Sequence, residues 1–551
     1  MSLFALVLVA TLARLVLISQ NWPVTNSDEA NMGLLARHIA YNGEWPIFFY
    51  GLPYMGPIEG YIAAPLFHLF GPSTFTLRLG LIPFFFLFAV CMYYLTRLLY
   101  TPGLAFFTVI LLCFGSGEVI ARQIKAVGEY PEIVFFAAAI CLLLVWLARS
   151  GSTDNSRPDL RRILLYGLLG LIMGLALWVD FLILPFVGSG ALFLFFFCRR
   201  ELRSWAGVSL LLGIVLGAFP LIVYNVTAPL DHNSIAVLLS IHSSGSNQHP
   251  PFLQQLVGTL LISLPNATGY NPLCGNTAFP YFHAAGSPSS ISCILLQGGW
   301  SAGYLILWTL AVVVAIRFVW RHWQGTSLLK PAWTFEERQR MILQCGRLML
   351  LVSALGTLVL FALSPIAATS PGPTARYLIC LLVALPAVLW PLWKGVSAAL
   401  TVSNWRARTP LLLRGCLLVL ILAVYVRGTC TTFADIPDAQ AYYKRQDELV
   451  QKLLALGATR IYSEYWTCNR LAFQSQEKII CATLDEQLNP GFDRYLPYRD
   501  IVRAAPHPVY VFPSNMPQVT ALDARMKRDG IMMTYQRLTF QNYVIYLPGT
   551  T

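Results

Sequence analysis

Apolar stretches long enough to cross a bilayer recur along this chain, and they constrain its fold more than any other feature. A helix needs about 20 mostly apolar residues to span the hydrocarbon. Eleven stretches qualify, near 2–20, 79–98, 103–118, 132–148, 162–179, 181–198, 206–224, 300–319, 347–365, 376–393 and 410–427. An ordinary soluble enzyme does not tolerate 56% hydrophobic and 12% charged residues in 551, so the chain is expected to be an α-helical polytopic membrane protein. Residues 162–198 are too long for one span and about right for two, and "WVDFLILP", with Asp180 ahead of Pro185, supplies a turn between them. The first stretch has no basic segment before it and no small-x-small cleavage site before Asn21, so it is expected to remain as an uncleaved anchor.

Loop charges test the count, because one wrong span would invert every later loop. With the N-terminus inside, the cytoplasmic segments are Arg97, "RSGSTDNSRPDLRR", "RRELR", residues 317–347 and residues 394–414. They hold about 18 Lys and Arg against about five in the opposite loops, and the 75 or so residues from Val226 to Trp300 hold none. That asymmetry follows the positive-inside rule. It accounts for most of the formal net charge of +12, and no basic tract with interleaved aromatics points to nucleic acid.

The same topology places the tail outside, which divides the chain into a membrane module, 1–427, and an extracytoplasmic domain, 428–551. In the tail, "AYYKRQDELVQKLLALG" and "VTALDARMKRDG" have helical spacing, whereas "RIYSEYW", "KIICA", "VYVF" and "YVIYL" are β-rich. Alternating signals of this kind predict a small α/β domain. Of the 12 cysteines, Cys274, Cys293, Cys430, Cys468 and Cys481 fall outside. An oxidising compartment permits the pairs Cys274 with Cys293 and Cys468 with Cys481, leaving Cys430 unpaired. "NVT" at Asn225 and "NAT" at Asn266 fit the glycosylation sequon, a triplet common by chance. No CxxC pair, HExxH or DxDxDG loop announces a metal site.

The residues suited to chemistry gather in the outer loops. "DEANMGLLARHIAYNGEWP" and "GLPYMGPIEGYIAAPLFHLFG" each have the spacing of a helix lying on the membrane surface. They would hold Asp28 and Glu29 at the lip of the bilayer, where partial desolvation raises a carboxyl pKa and suits it to accept a proton. The competing reading is a helix cap, with Ser27 or Asp28 at the N-cap and Glu29 in the first turn. "QIKAVGEYPEIVFF" adds Lys125, Glu129 and Glu132, "PIEGY" adds Glu59, and Asp180 lies at another outer turn. "SPGPTARYL" places Arg376 and Tyr377 where the tenth span begins, and a guanidinium there is suited to a lipid phosphate. Each has a plain alternative as a snorkelling or interfacial anchor.

Taken in order, Arg14 inside the first span, "SDEA", "ARHIAYNGEWP", "YMGPIEGYIAAPLFHLFGPSTFTLRLG", "GEYPE" and "PTARYL" resemble the GT-C membrane glycosyltransferases. The nearest group is the protein O-mannosyltransferase and aminoarabinose transferase clan, in its bacterial family-39-like branch, over roughly residues 1–390. The resemblance implies transfer of a sugar from a polyprenyl-phosphate-linked donor to a glycan, lipid or protein acceptor outside the cytoplasm, with inversion. It implies Asp28 as general base, Glu29 orienting the acceptor or Asp28, and Glu129 or Glu132 as a second carboxylate. Arg376 and Tyr377, with Lys125 or Arg122, would hold the donor phosphate at the inner (plasma) membrane. Tyr54, His38, Glu59 and Asp180 would line the acceptor or sugar site. Glu59 departs from the aminoarabinose transferases, which carry a Lys nearby. The clan includes members that use a divalent cation such as Mg or Mn and members that use none. The alternative from another class is a transporter or flippase of lipid-linked sugars, whose matching halves and Gly/Pro-broken span pairs are missing here.

Overall fold

Each of the eleven apolar stretches is mostly helical in a computed structural model of the chain, which describes residues 3–151, 158–244, 250–271, 288–323, 334–396, 405–530 and 534–549. Among the described residues, eight helices are long and apolar enough to span a membrane, or up to ten if two bent pairs each count as one span. The first stretch forms Leu3–Ser19, which at 17 residues falls just short of that length. The chain is a multi-pass membrane protein. The division at Asp180 is as expected: Leu160–Val179 ends there, a 3-10 turn follows over Phe181–Ile183, and Leu184–Leu202 begins.

The described residues form two compact units. The first comprises residues 1–13, 82–123 and 130–433, and the second residues 14–81, 124–129 and 434–551. The first outer loop and the tail, far apart in sequence, therefore belong to one unit.

In the first unit, loop ends assigned to one side of the membrane meet one another. Arg149 Nη1 donates to the Leu98 carbonyl at 3.2 Å, Gln339 Nε2 to the Arg149 carbonyl at 2.8 Å and Arg347 Nε to the Leu99 carbonyl at 2.9 Å. Arg162 pairs with Glu201 at 2.6 Å. The third stretch is not straight: Pro102–Cys113 and Gly117–Ile124 are inclined at 86°. The freed backbone at the bend is satisfied by a neighbouring helix, Trp405–Ala434, whose Thr429 hydroxyl accepts the Gly115 amide at 3.1 Å. Gly428 permits that approach, since a Cβ there would lie 2.5 Å from the Gly115 carbonyl oxygen.

In the second unit the tail forms a five-stranded sheet of β1 (Arg460–Ser463), β2 (Ile480–Thr483), β3 (Val509–Pro513), β4 (Tyr535–Phe540) and β5 (Tyr543–Pro548) in the order β2-β1-β3-β5-β4. The first three strands are parallel, with Ile461 opposite Cys481 and Val509, and the last two are antiparallel additions. Both faces are covered, as a parallel sheet requires. Leu449, Leu453 and Leu471 pack on Ile461, Val511 and Ile545, while Val519, Leu522 and Met526 pack on Phe512, Val544 and Tyr546. The β-rich run "RIYSEYW" extends the expected first strand through "SEYW". The chain instead leaves β1 into helix Tyr465–Gln474, capped by Glu464. The sequence expectation also passes over β4, whose alternating exposure marks an edge strand, and helix Leu496–Arg503.

The expected Cys468–Cys481 disulfide is present and ties Tyr465–Gln474 to β2. Cys430 is a free, exposed thiol; Cys274 lies outside the described residues. A bridge over a loop of this length contributes about 3 kcal/mol. Cys468→Ala/Cys481→Ala is therefore expected to lower the denaturation midpoint of the tail, measurable by pulse proteolysis, and an unchanged midpoint would contradict it. Of the two sequons, Asn266 is buried and Asn225 is engaged with Ser234 and the Leu221 carbonyl.

Candidate active site

The carboxylates after the first span sit on helix Ser27–Arg37, and the cap competing for them is another residue. Asn26 is the N-cap, its side chain accepting the Glu29 amide at 3.1 Å. Ser27 and Asp28 are thereby released for contacts elsewhere, which corrects the expectation that one of them caps the helix. Ser27 Oγ donates to the Tyr465 carbonyl at 2.5 Å and accepts Asn469 Nδ2 at 2.9 Å. Gly33 allows helix Tyr465–Gln474 to lie close, because a Cβ there would meet the Phe473 ring at 2.5 Å.

The adjacent carboxylates part company. Glu29 is fully buried and takes Arg78 in a two-point pair, Nε at 2.7 Å and Nη2 at 2.6 Å, while Arg78 Nη2 also donates to the Pro23 carbonyl. Burial by itself would raise the Glu29 pKa, as the sequence reading supposed. The buried Arg78 guanidinium beside it, with help from Lys125, outweighs burial and holds it below the usual carboxylate range. Asp28 turns the other way, to the tail. Its Oδ1 accepts Arg494 Nη2 at 2.8 Å and the Tyr465 hydroxyl at 2.5 Å, and its side chain keeps 11% exposure.

Two first-loop carboxylates shape the neighbouring loop of residues 124–129. Glu29 Oε1 accepts the Ala126 amide at 3.1 Å and Glu59 Oε2 accepts the Gly128 amide at 2.9 Å. Lys125 Nζ donates to the Val24 carbonyl at 2.8 Å. The loop ends on Glu129, buried and in left-handed backbone at φ 66°, a conformation a non-glycine residue holds only under constraint. Glu132, also buried, begins the next helix, Tyr130–Arg149, in the other compact unit.

His38 lies in a network at the far end of the Ser27–Arg37 helix. Its Nδ1 meets the Tyr50 hydroxyl at 3.0 Å and its Nε2 meets Glu477 at 3.0 Å, with the Tyr498 hydroxyl and Arg37 also donating to Glu477. Burial opposes the charge of Glu477, but these partners bring its pKa down to about 2. Tyr54 occupies the following turn and is half-buried. Asp180 accepts the Leu182 amide at 2.6 Å and closes its own turn.

In the first unit, Arg376 and Arg122 both lie over the Tyr130 ring, at 5.7 and 5.5 Å, and Arg376 lies 5.3 Å from the Tyr377 ring centre. Arg122 pairs with Glu118 at 2.7 Å. Two guanidinia about one aromatic ring form a cationic surface suited to an anion with several oxygens. A divalent cation fits less well: no group of three or more His, Cys, Asp or Glu residues able to hold one is found among the described residues. The Asp28 and Glu29 carboxylates already have guanidinium partners.

Arg494 and Tyr465 escaped the sequence reading, as did Arg78. Nothing in "GFDRYLPYRD" marks one arginine as a partner of a residue 466 positions away. Asn31 was missed too: one turn beyond Asp28 and fully buried, it finds no hydrogen-bond partner for either amide atom among the described residues. Helical spacing alone places Asn31 on the same face as Asp28, but its burial is not readable from it.

No family model and no curated protein sequence matches the chain. Solved structures do. ArnT from Cupriavidus metallidurans bound to undecaprenyl phosphate is 13% identical, with 98% of this chain and 97% of that one covered at a TM-score of 0.53. The same protein in the apo state gives 0.52 with the same identity and coverage. The oligosaccharyltransferase of Archaeoglobus fulgidus, tethered by a disulfide to an acceptor peptide containing the NVT sequon, is 12% identical; all of this chain and 74% of that one are covered, at 0.50. The chain has the fold of the GT-C membrane glycosyltransferases, from the first span through the C-terminal sheet.

Proposed function

We propose that the chain transfers a hexosyl or pentosyl unit from a polyprenyl-phosphate-linked donor to a hydroxyl of a glycan, lipid or protein acceptor on the outer side of the plasma membrane. One observation carries this reading: in a fold shared with ArnT, the acidic pair behind the first span is split, with Glu29 wholly buried against Arg78 and Asp28 turned to Arg494 and Tyr465 with 11% of its side chain exposed. Asp28 is the general base. Its carboxylate accepts the acceptor hydroxyl proton as that oxygen forms a bond to the anomeric carbon. The C–O bond to phosphate breaks from the opposite face, and its electron pair leaves with the polyprenyl phosphate, so the anomeric centre inverts. A phosphate is already a good leaving group, and stabilising its charge matters more than protonating it. Arg376 and Arg122, arranged about Tyr130 and Tyr377, supply that charge.

Glu129 is the second carboxylate in this reading rather than Glu132, because it shares a compact unit with Asp28 and is held in constrained backbone. Glu29, Glu59 and Lys125 act by shaping the loops that carry Asp28 and Glu129, and His38 and Asp180 by holding their own turns. Tyr54 belongs to the acceptor side. The disulfide in the tail and the loop charges both support the reading that this domain lies outside, in an oxidising compartment.

The test is release of undecaprenyl phosphate from a panel of undecaprenyl-phosphate-linked hexoses and pentoses by the purified protein. Turnover of at least one donor is expected. Arg376→Gln is expected to raise the donor KM about tenfold or more, the loss of a charged hydrogen bond of about 1.5–3 kcal/mol. Absence of turnover across the panel, or an unchanged KM, would count against the respective assignment.

A further inference from the structure

We propose that Arg494, supplied by the C-terminal sheet domain, is the positioning residue of the Asp28 carboxylate, so that the tail completes the reaction centre in the same chain. The inference rests on the reading of Asp28 as proton acceptor. It starts from the guanidinium, whose three nitrogens are all committed. Nε donates to the Tyr465 hydroxyl at 2.8 Å, Nη1 to the Tyr50 carbonyl at 3.3 Å and Nη2 to Asp28 Oδ1 at 2.8 Å. The Phe49 and Phe492 rings lie 5.0 and 5.1 Å from its central carbon. A planar fork bonded at three corners and flanked by rings has little freedom left to turn toward a substrate. It acts as a fixed positive charge that keeps Asp28 ionised and sets the plane of its carboxyl group. Tyr465 closes the arrangement, receiving a proton from Nε and giving its own to the same carboxylate oxygen.

The topology of the sheet agrees. β1 lies between β2 and β3, so the chain leaves the carboxyl end of β1 toward β2 and that of β3 toward the β5–β4 pair. Open α/β sheets bind ligands at such a switch point, beyond the carboxyl ends of the strands. Tyr465 follows β1 by two residues, and Asp28 is what meets it there. The remaining charged groups around the Ser27–Arg37 helix are engaged elsewhere. Glu29 is with Arg78, and Lys125 is on the Val24 carbonyl. Arg37 and His38 are with Glu477, Glu44 accepts from Tyr50 and Tyr495, and Arg470 donates to the Trp466 carbonyl. Among the contacts described, Arg494 is the cation bonded directly to Asp28.

A measurement that needs no sugar substrate tests this. Dicyclohexylcarbodiimide reacts with a carboxyl group only in its protonated form, the acid O–H adding across one C=N bond, and the adduct at Asp28 is counted by peptide mass spectrometry as pH is varied. In the full-length protein, Arg494→Gln is expected to move the labelling midpoint upward by about one to three pH units, the range for an aspartate losing an adjacent arginine. Arg494→Lys, which keeps the charge and loses the fork, is expected to shift it less. The acid limb of kcat/KM for undecaprenyl phosphate release is expected to move with the labelling, and turnover to recover at high pH. A midpoint unchanged in Arg494→Gln with native melting, or in Arg494→Met where the glutamine variant does not fold, would overturn the inference. Full turnover in Asp28→Asn would instead overturn the reading of Asp28 as proton acceptor, with the labelling result of the Arg494 variants untouched.

Discussion

Replacing Asp28 by Asn is expected to lower sugar transfer about a thousandfold while leaving the protein folded. A positioned general base typically contributes about 10²–10⁴ in rate, and asparagine removes the basic oxygen at nearly unchanged shape. The fold should survive because an amide oxygen can still accept from Arg494 and Tyr465, the two donors that meet Oδ1 in the native chain. Donor binding, measured by displacement of a labelled undecaprenyl phosphate, should change little, since the donor phosphate is assigned to Arg376 and Arg122. Full transfer by Asp28→Asn would remove this side chain from the mechanism. Loss of transfer together with loss of cooperative melting would be uninformative alone, so melting is measured on the same samples, with Asp28→Glu as the companion variant. Glutamate keeps the charge but moves the carboxyl by one methylene, and it is expected to retain melting and lose most of the turnover.

Glu29 is expected to show the opposite balance: a large loss of stability, with loss of transfer only as its consequence. The Glu29 and Arg78 side chains are 0% and 1% exposed, and breaking such a pair strands an uncompensated charge in the interior. The cost is about 3–5 kcal/mol. Glu29→Gln should therefore lower the denaturation midpoint severely, and Arg78→Met should do the same from the other side. Replacing both together should cost less than the sum, because neither charge is then stranded. The double-mutant cycle reads this directly. Additive losses would mean that the pair is not a coupled unit, and a Glu29→Gln variant with native stability and no transfer would return Glu29 to the chemistry.

These contrasting expectations for neighbouring residues show where sequence reasoning stops. "SDEA" is a string in which two carboxylates differ by one position, and helical geometry sends side chains at successive positions about 100° apart. Which direction faces an interior arginine and which faces the site depends on what packs around the helix. Asn26, rather than Ser27 or Asp28, took the cap, and a cap one residue earlier freed both for the tail. The Glu29 carboxyl was expected to be raised by desolvation, and burial does act in that direction. The buried Arg78 guanidinium reverses it.

The membrane architecture was legible because its signal is additive over about 20 residues at a time and needs no partner. Hydropathy marked the apolar helices, and the ends that loop charge groups together do meet, Arg149 with Leu98 and Gln339, Arg162 with Glu201 and Arg347 with Leu99. The strands of the tail, except its edge strand β4, and the Cys468–Cys481 bridge were readable for the same reason, since local composition and compartment chemistry suffice. Contacts spanning hundreds of residues were not readable. Arg494 reaches Asp28, Tyr465 accepts from Ser27, and Glu477 meets His38 because a helix behind the first span packs on a domain more than 400 residues later. Local pattern thus sufficed for what spans, what folds and which loops carry charge. Only tertiary packing decided which carboxylate pairs with the interior Arg78 and which with Arg494 of the tail, because a side chain's charge state and direction depend on neighbours that chain order does not reveal.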